Sequence, residues 1–318
     1  MKIYSTDCDQ GNMNIERNIL RSIGEDLIEF DCKTEDDIIK NCKGAVILIN
    51  QFAPMTRRVF DALAPELKQI VRSGVGVNNV DLKAATDHGV QVCNVPDYGM
   101  NEVADQTMTL MLALVRKICI VNEYTRKVKW DYRVAVPIYR IPGSTVGIIG
   151  LGRNGQTFAK RLTGFDCKIL GYDEYCPKDK VPKNVELVSF ERLIKESDVI
   201  SIHCPLTEET RDMFNLETFK KMKNTAYLIN TSRGNIVNEA DLLIALKEKI
   251  IAGAALDAVS KEPMPLDSEL FKLDNFICTP HIAWYSEEAF QELKRKVGEE
   301  AYRFAKGEPV HYPVNKLK

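Results

Sequence analysis

Tryptophan and histidine are scarce: 318 residues hold two of the first and four of the second. Any imidazole acid or base is therefore His88, His203, His281 or His311. An excess of one charge sign is also missing. The 43 basic side chains face 45 acidic ones, which removes the electrostatic case for a nucleic-acid partner. No apolar run approaches the roughly 20 residues of a membrane span, and the opening MKIYSTDCDQ lacks the apolar core of a signal peptide. Nine cysteines, an odd number, are scattered without a C-x-x-C pair. Several lie in apolar stretches, where the thiol behaves as a small hydrophobe. These absences describe a reduced, cytoplasmic protein with neither disulfides nor a metal site. Its hydrophobic content of 45% with 28% charged residues is ordinary for a globular chain, long enough for two domains with their own cores.

What is present alternates apolar strands with polar helical stretches. Strands are expected at residues 2–6, 27–31, 45–50, 69–73 and 91–95, with helices at 34–41, 56–63 and 81–88 between them. That order gives a small parallel α/β layer. Residues 50–54 and 72–79 follow strand ends, where ligands collect in open α/β sheets. The glycines of the second loop suit an anion held by backbone N–H groups, although the loop by itself reads rather as a plain turn. A long amphipathic helix is expected from 101 to 116, then an irregular stretch, 121–142, that mixes Trp130, Tyr132 and Tyr139 with basic residues. A second α/β run has strands at 145–150, 168–173, 199–203, 226–231, 251–256 and 276–279. Its helices are expected at 190–195, 216–223 and 239–249, and the periodic stretch 286–306 closes the chain.

The second run opens with TVGIIGLGRNGQTFAK, a strand, a G-x-G-x-x-G turn and a helix. Gly150 suits the tight turn, Gly152 lets backbone approach a pyrophosphate, and Gly155 brings helix against strand. The N–H groups of Arg153 and Asn154 begin the helix there, where its dipole favours an anion. The next strand ends at Asp173, about 20 residues on, where a carboxylate would grip ribose hydroxyls and repel the additional phosphate of NADP. The implied cofactor is NAD.

Three polar residues follow three successive strands: Arg233, Glu262 and His281. Singly, each reads as a surface turn, a polar loop or a structural histidine. Together they suit reduction of a 2-oxo acid. Arginine offers a planar fork of donors for a carboxylate and carbonyl, and histidine gives the carbonyl oxygen its proton. A neighbouring carboxylate orients the ring and favours its charged form. Of the other histidines, His88 lies in a helix-ending turn, His311 in the tail, and His203 at a strand end better suited to the adenine side of a cofactor.

Over nearly its whole length the sequence resembles the D-isomer-specific 2-hydroxyacid dehydrogenases. The matching segments are RSGVGVNNVD (72–81), NVPDYGMNEVADQT (94–107), GLGRNG (150–155), HCPLTEETR (203–211), INTSRG (229–234), GAALDAVSKEP (253–263) and TPHIAW (279–284). The resemblance implies a Rossmann-type NAD-binding domain at 99–285 and a discontinuous flavodoxin-like substrate domain at 1–98 and 286–318, both with parallel sheets and a ligand crevice between them. It places the catalytic set on Arg233, Glu262 and His281. Asp257 falls on the contact to the nicotinamide carboxamide, and His203, Cys204, Pro205 and Thr210 on the adenine side. Thr231, Ser232 and Ala283 join the cofactor contacts. Gly74, Val75 and Gly76 fall on the loop that binds the substrate carboxylate, with Tyr98 and Trp284 as further substrate contacts. It also implies a homodimer formed through the NAD-binding domain.

Glu262 stands where formate dehydrogenases of this family carry Gln, so formate is not the expected substrate. An end at Lys318 leaves out the appended regulatory domain of many phosphoglycerate dehydrogenases. The run His281-Ile282-Ala283-Trp284-Tyr285-Ser286 is also close to that of the C-terminal binding proteins, NADH-dependent co-repressors, which gives an NADH-sensing scaffold as the alternative to an enzyme. Residues 50–54, Tyr98, Met100 and Trp284 are the candidates for the substrate side-chain pocket, and the choice of 2-oxo acid stays open.

Overall fold

A computed structural model describes residues 1–9, 11–127 and 130–317. It divides into two compact units, Met1–Gly99 with Ser286–Lys318, and Met100–Tyr285. In the first unit, β1 (Ile3–Ser5), β2 (Leu27–Glu29), β3 (Ile47–Asn50), β4 (Gln69–Arg72) and β5 (Gln91–Cys93) form one parallel sheet in the order β2-β1-β3-β4-β5. This is the flavodoxin-like order. Of its inner strands β1 and β3 are buried along their length and β4 up to Arg72, so they read as short, largely apolar runs. The helix Glu287–Ala305 packs in this unit against Asn14–Arg21, a short polar helix that periodicity did not single out. The chain's final residues return to β5: Asn315 accepts from the N–H of Val92 and donates to the carbonyl of Val90.

In the second unit, β6 (Thr145–Ile149), β7 (Lys168–Tyr172), β8 (Glu186–Leu187), β9 (Val199–Ile202), β10 (Tyr227–Asn230), β11 (Gly253–Leu256) and β12 (Phe276–Cys278) form a parallel sheet in the order β12-β11-β10-β9-β6-β7-β8. The order reverses between β6 and β9, the switch point where doubly wound sheets hold a dinucleotide. Side chains alternate between two cores: Val146 and Ile148 face one, and Ile149 faces the other.

The expected irregular stretch after residue 120 needs correction. Ile118–Arg126 is a helix, followed by a short 3-10 turn at Tyr132–Ala135. That helix buries none of its residues, so it carries no core-facing stripe to be read; residues 128 and 129 lie outside the described ones. No helix among the described residues is long and apolar enough to cross a membrane.

Candidate active site

The glycine turn follows β6. Gly150 has φ +89°, and a Cβ there would lie 2.6 Å from the backbone nitrogen of Cys204. A Cβ on Gly155 would meet the carbonyl oxygen of Gly150 at 2.0 Å, so helix and turn touch backbone to backbone. Gly152 faces open space instead. It precedes the helix Arg153–Arg161 without a side-chain cap, leaving the first N–H groups of that helix, at Arg153, Asn154 and Gly155, for an external acceptor. Open backbone, an uncapped helix start and the switch point together fit a pyrophosphate.

Asp173 follows β7 with its carboxylate already engaged. One oxygen accepts from the N–H of Leu151 in the glycine turn at 2.7 Å, and the other accepts from Tyr175 and Cys176 at 2.8 and 2.9 Å. It therefore shapes the turn as well as presenting an acid beside it. His203, after β9, is half-buried, with Nε2 2.9 Å from the hydroxyl of Ser201 and its ring against Phe158. Burial alone drives its pKa down to about 3, so the ring is neutral, and Nδ1 meets no partner among the described residues. Burial pushes the Cys204 thiol up to about 11. The Thr210 hydroxyl donates to the carbonyl of Pro205 and accepts from the N–H of Thr207, closing the turn between them.

β10, β11 and β12 are adjacent and in register, Asn230 beside Leu256 and Leu256 beside Cys278. Arg233, Glu262 and His281 thus leave one rim of one sheet. Asn230, which sequence reasoning passed over, builds the first turn. Its amide donates to the carbonyl of Arg233, and its oxygen accepts from the N–H and hydroxyl of Ser232. Thr231 is buried against the hydroxyl of Thr107. On the third strand end, His281 adopts φ +53°. Asp257, 1% exposed, holds that turn: its carboxylate accepts from the Thr279 hydroxyl and from the N–H groups of Ile282 and Ala283. The resemblance placed this acid at the nicotinamide; its commitment to the turn after the neighbouring strand was not legible in the sequence.

His281 Nδ1 lies 2.8 Å from Oε2 of Glu262, whose other oxygen accepts from the N–H of Val259. Burial works against the charge on Glu262. The hydrogen bond and charge of His281, the Val259 N–H and the charge of Arg233 outweigh it and hold the carboxyl below its ordinary range. Nε2 of His281 bonds to no protein atom among the described residues, and the side chain is 40% exposed. The Arg233 guanidinium donates to the carbonyl of Ser232. Trp284 is half-buried, edge-on to Tyr285.

The profile of the D-isomer specific 2-hydroxyacid dehydrogenase NAD binding domain matches residues 108–283. The chain belongs to this family of dehydrogenases. It is 37% identical to a glyoxylate reductase of Korarchaeum cryptofilum over 304 residues, covering 94% of this chain and 91% of that one. A D-3-phosphoglycerate dehydrogenase of Archaeoglobus fulgidus is 38% identical over 293 residues, and there the match spans 91% of this dehydrogenase but 55% of the relative. Among solved structures, an acyclic imino acid reductase in complex with NADPH and D-Arg superposes with a TM-score of 0.91 at 28% identity, covering 99% of this dehydrogenase and all of that chain. The dehydrogenase is an NAD-dependent oxidoreductase.

In the first unit, the loop after β4 carries Gly74 at φ +135°, with the Arg72 guanidinium lying over its Cα. Its carbonyl accepts from Val95, and that of Val75 accepts from the Asn94 amide. The N–H groups of Val75 and Gly76 donate to no acceptor among the described residues. The Asn79 amide ties this loop to the one after β3, bonding Asn50, Gln51 and Ala53. Tyr98 is half-buried.

Proposed function

We propose that the dehydrogenase interconverts a small 2-oxo acid and its (R)-2-hydroxy acid, with His281 as general acid and base and Arg233 as the donor fork for the substrate carboxylate and carbonyl. The observation that carries this is the pairing of His281 Nδ1 with Glu262, held as carboxylate, which leaves Nε2 without a protein partner among the described residues. When bound, NADH supplies the hydride. The residues of the chain do the rest. Glu262 fixes the ring and sets a negative charge beside it, Nε2 hands a proton to the carbonyl oxygen, and Arg233 balances the charge on the carboxylate. In the oxidative direction Nε2 takes that proton back.

Gly150, Gly152, Arg153, Asn154 and Gly155 would hold the pyrophosphate, and Asp173 the adenosine ribose. His203, Cys204, Pro205 and Thr210 would line the adenine side, with Thr231, Ser232, Asp257 and Ala283 toward the nicotinamide. The first unit, as the substrate-binding domain, brings its own anion donors, the N–H groups of Val75 and Gly76 beside Gly74; Tyr98 and Trp284 are proposed substrate contacts. The reading also includes a cytoplasmic homodimer formed through the NAD-binding domain. It is supported by the large apolar side chains left exposed at Ile118, Trp130, Tyr132 and Val136, and sedimentation equilibrium would return twice the chain mass.

A panel of 2-oxo acids with NADH tests the activity. At least one acid is turned over, and His281→Ala lowers kcat by about 10²- to 10⁴-fold. Wild-type rates no higher than the variant's on every acid would refute the assignment.

A further inference from the structure

We propose that Cys8 is an oxidant-reactive thiol held toward its thiolate by Lys294, and that its oxidation is felt by the loop after β3. Lys294 lies on the helix Glu287–Ala305 and is buried, 1% exposed. Its Nζ lies 3.9 Å from the sulfur of Cys8, donates to the carbonyl of Asn12 at 2.9 Å, and stands 3.4 Å from Oε1 of Glu16. Glu16 is equally buried, and its Oε2 meets no donor among the described residues. At 3.4 Å through one oxygen only, Glu16 is a long partner for the ammonium, and desolvation, outweighing the attraction of Lys294, raises its pKa. A buried cation beside a partly exposed thiol is the setting that favours thiolate and speeds its reaction.

The same segment is wired to a strand-end loop. Asp9 bonds Gln51 twice, through its N–H to Oε1 and through its carboxylate from Nε2. Asp7 accepts from the N–H groups of Gln51, Phe52 and Ala53. Added volume at Cys8 therefore strains the loop 50–54 through the residues on either side of the thiol. At the Cys8 sulfur stand the Lys294 ammonium and the carbonyl of Gly11, to which its thiol donates, and the charged groups nearest in sequence are Asp7 and Asp9.

The oxidant is a peroxide. The Cys8 thiolate attacks one peroxide oxygen, an S–O bond forms as the O–O bond breaks, and sulfur gives up two electrons. The departing hydroxide takes the proton that the thiol earlier lost to solvent, so one peroxide yields one sulfenic acid and one water.

The test treats the whole protein with dilute hydrogen peroxide and a cyclic 1,3-diketone that traps sulfenic acids, then maps the tag by mass spectrometry. Cys8 is tagged at least tenfold faster than the exposed Cys119, and the double variant Glu16→Gln/Lys294→Met brings it down to the Cys119 rate. Equal tagging of the two cysteines in the wild type overturns the proposal. Should the double variant fail to fold, alkylation of wild-type Cys8 by iodoacetamide decides: an inflection below the ordinary thiol value of about 8.5 supports it, and one at or above that value overturns it. A second readout rests on the oxo-acid reductase reading. Peroxide raises KM for the oxo acid at least threefold in the wild type and leaves Cys8→Ser unchanged; tagging without that rise refutes the link to the loop. Tagging needs no turnover, so it fails or succeeds independently of the reductase reading.

Discussion

The backbone N–H of His281 donates to the carbonyl of Asp257 at 2.9 Å, while the Asp257 side chain accepts from both residues that follow His281. One residue thus fixes another's left-handed backbone from both sides. Asp257→Ala removes three acceptors' worth of bonding from a buried turn, and charge-assisted hydrogen bonds of this kind contribute about 1.5–3 kcal/mol each. The expected result is a kcat at least tenfold lower together with a lower melting temperature. If only the dissociation constant for NADH changes, Asp257 acts on the cofactor alone and not on the turn.

Glu262→Gln keeps a hydrogen-bonding side chain beside His281 and removes its charge. The Glu262 carboxyl titrates below its ordinary range, so the wild-type pair stays intact as pH falls through about 4.5 and is lost only below that. In the variant the charge is absent at every pH, and the pH optimum for oxo-acid reduction moves downward. Initial rates between pH 5 and 9 check this; an unchanged profile would contradict the role given to Glu262.

Asp173→Ala has two effects because the carboxylate has two tasks. Discrimination of NADH over NADPH falls at least tenfold as the repelling charge goes. The melting temperature falls as well, since three backbone N–H groups lose their acceptor. Comparing kcat/KM for the two cofactors measures the first and calorimetry the second. A constant ratio with a lowered melting temperature would leave Asp173 a structural residue only.

His203 makes a prediction about acid stability. Its folded pKa of about 3 lies far below the ordinary 6.5. Between these values the unfolded chain binds a proton that the folded one refuses, so stability falls as pH falls, by up to about 1.4 kcal/mol per pH unit. His203→Asn removes this contribution. Plotted from pH 6.5 to 4, the variant's unfolding free energy declines less steeply than the wild type's, whatever the offset between them; parallel slopes would show that the wild-type ring is protonated in the fold.

Much of this was legible because parallel strands buried on both faces are written as short apolar runs, and because glycine at 150 and 155 answers backbone contacts that admit no Cβ. β8 escaped notice for the opposite reason: its two residues, Glu186 and Leu187, are both exposed. The helix Ile118–Arg126 buries nothing and so shows no stripe. Arg233, Glu262 and His281 could be named from their places after three strands. Asn230, Asp7 and the turn-holding part of Asp257 could not, since their partners are backbone groups whose positions exist only once the strands are in register.

The contact at Gly234 carries a consequence for how this dehydrogenase can change. A Cβ there would fall 1.9 Å from the carbonyl carbon of Val259, so the arginine-bearing turn and the glutamate-bearing loop are pressed together with no room for a methyl group. Lengthening either segment at that point would unseat the guanidinium and the carboxylate together. Room for a different substrate is therefore to be sought in other loops, which can lengthen without displacing this pair.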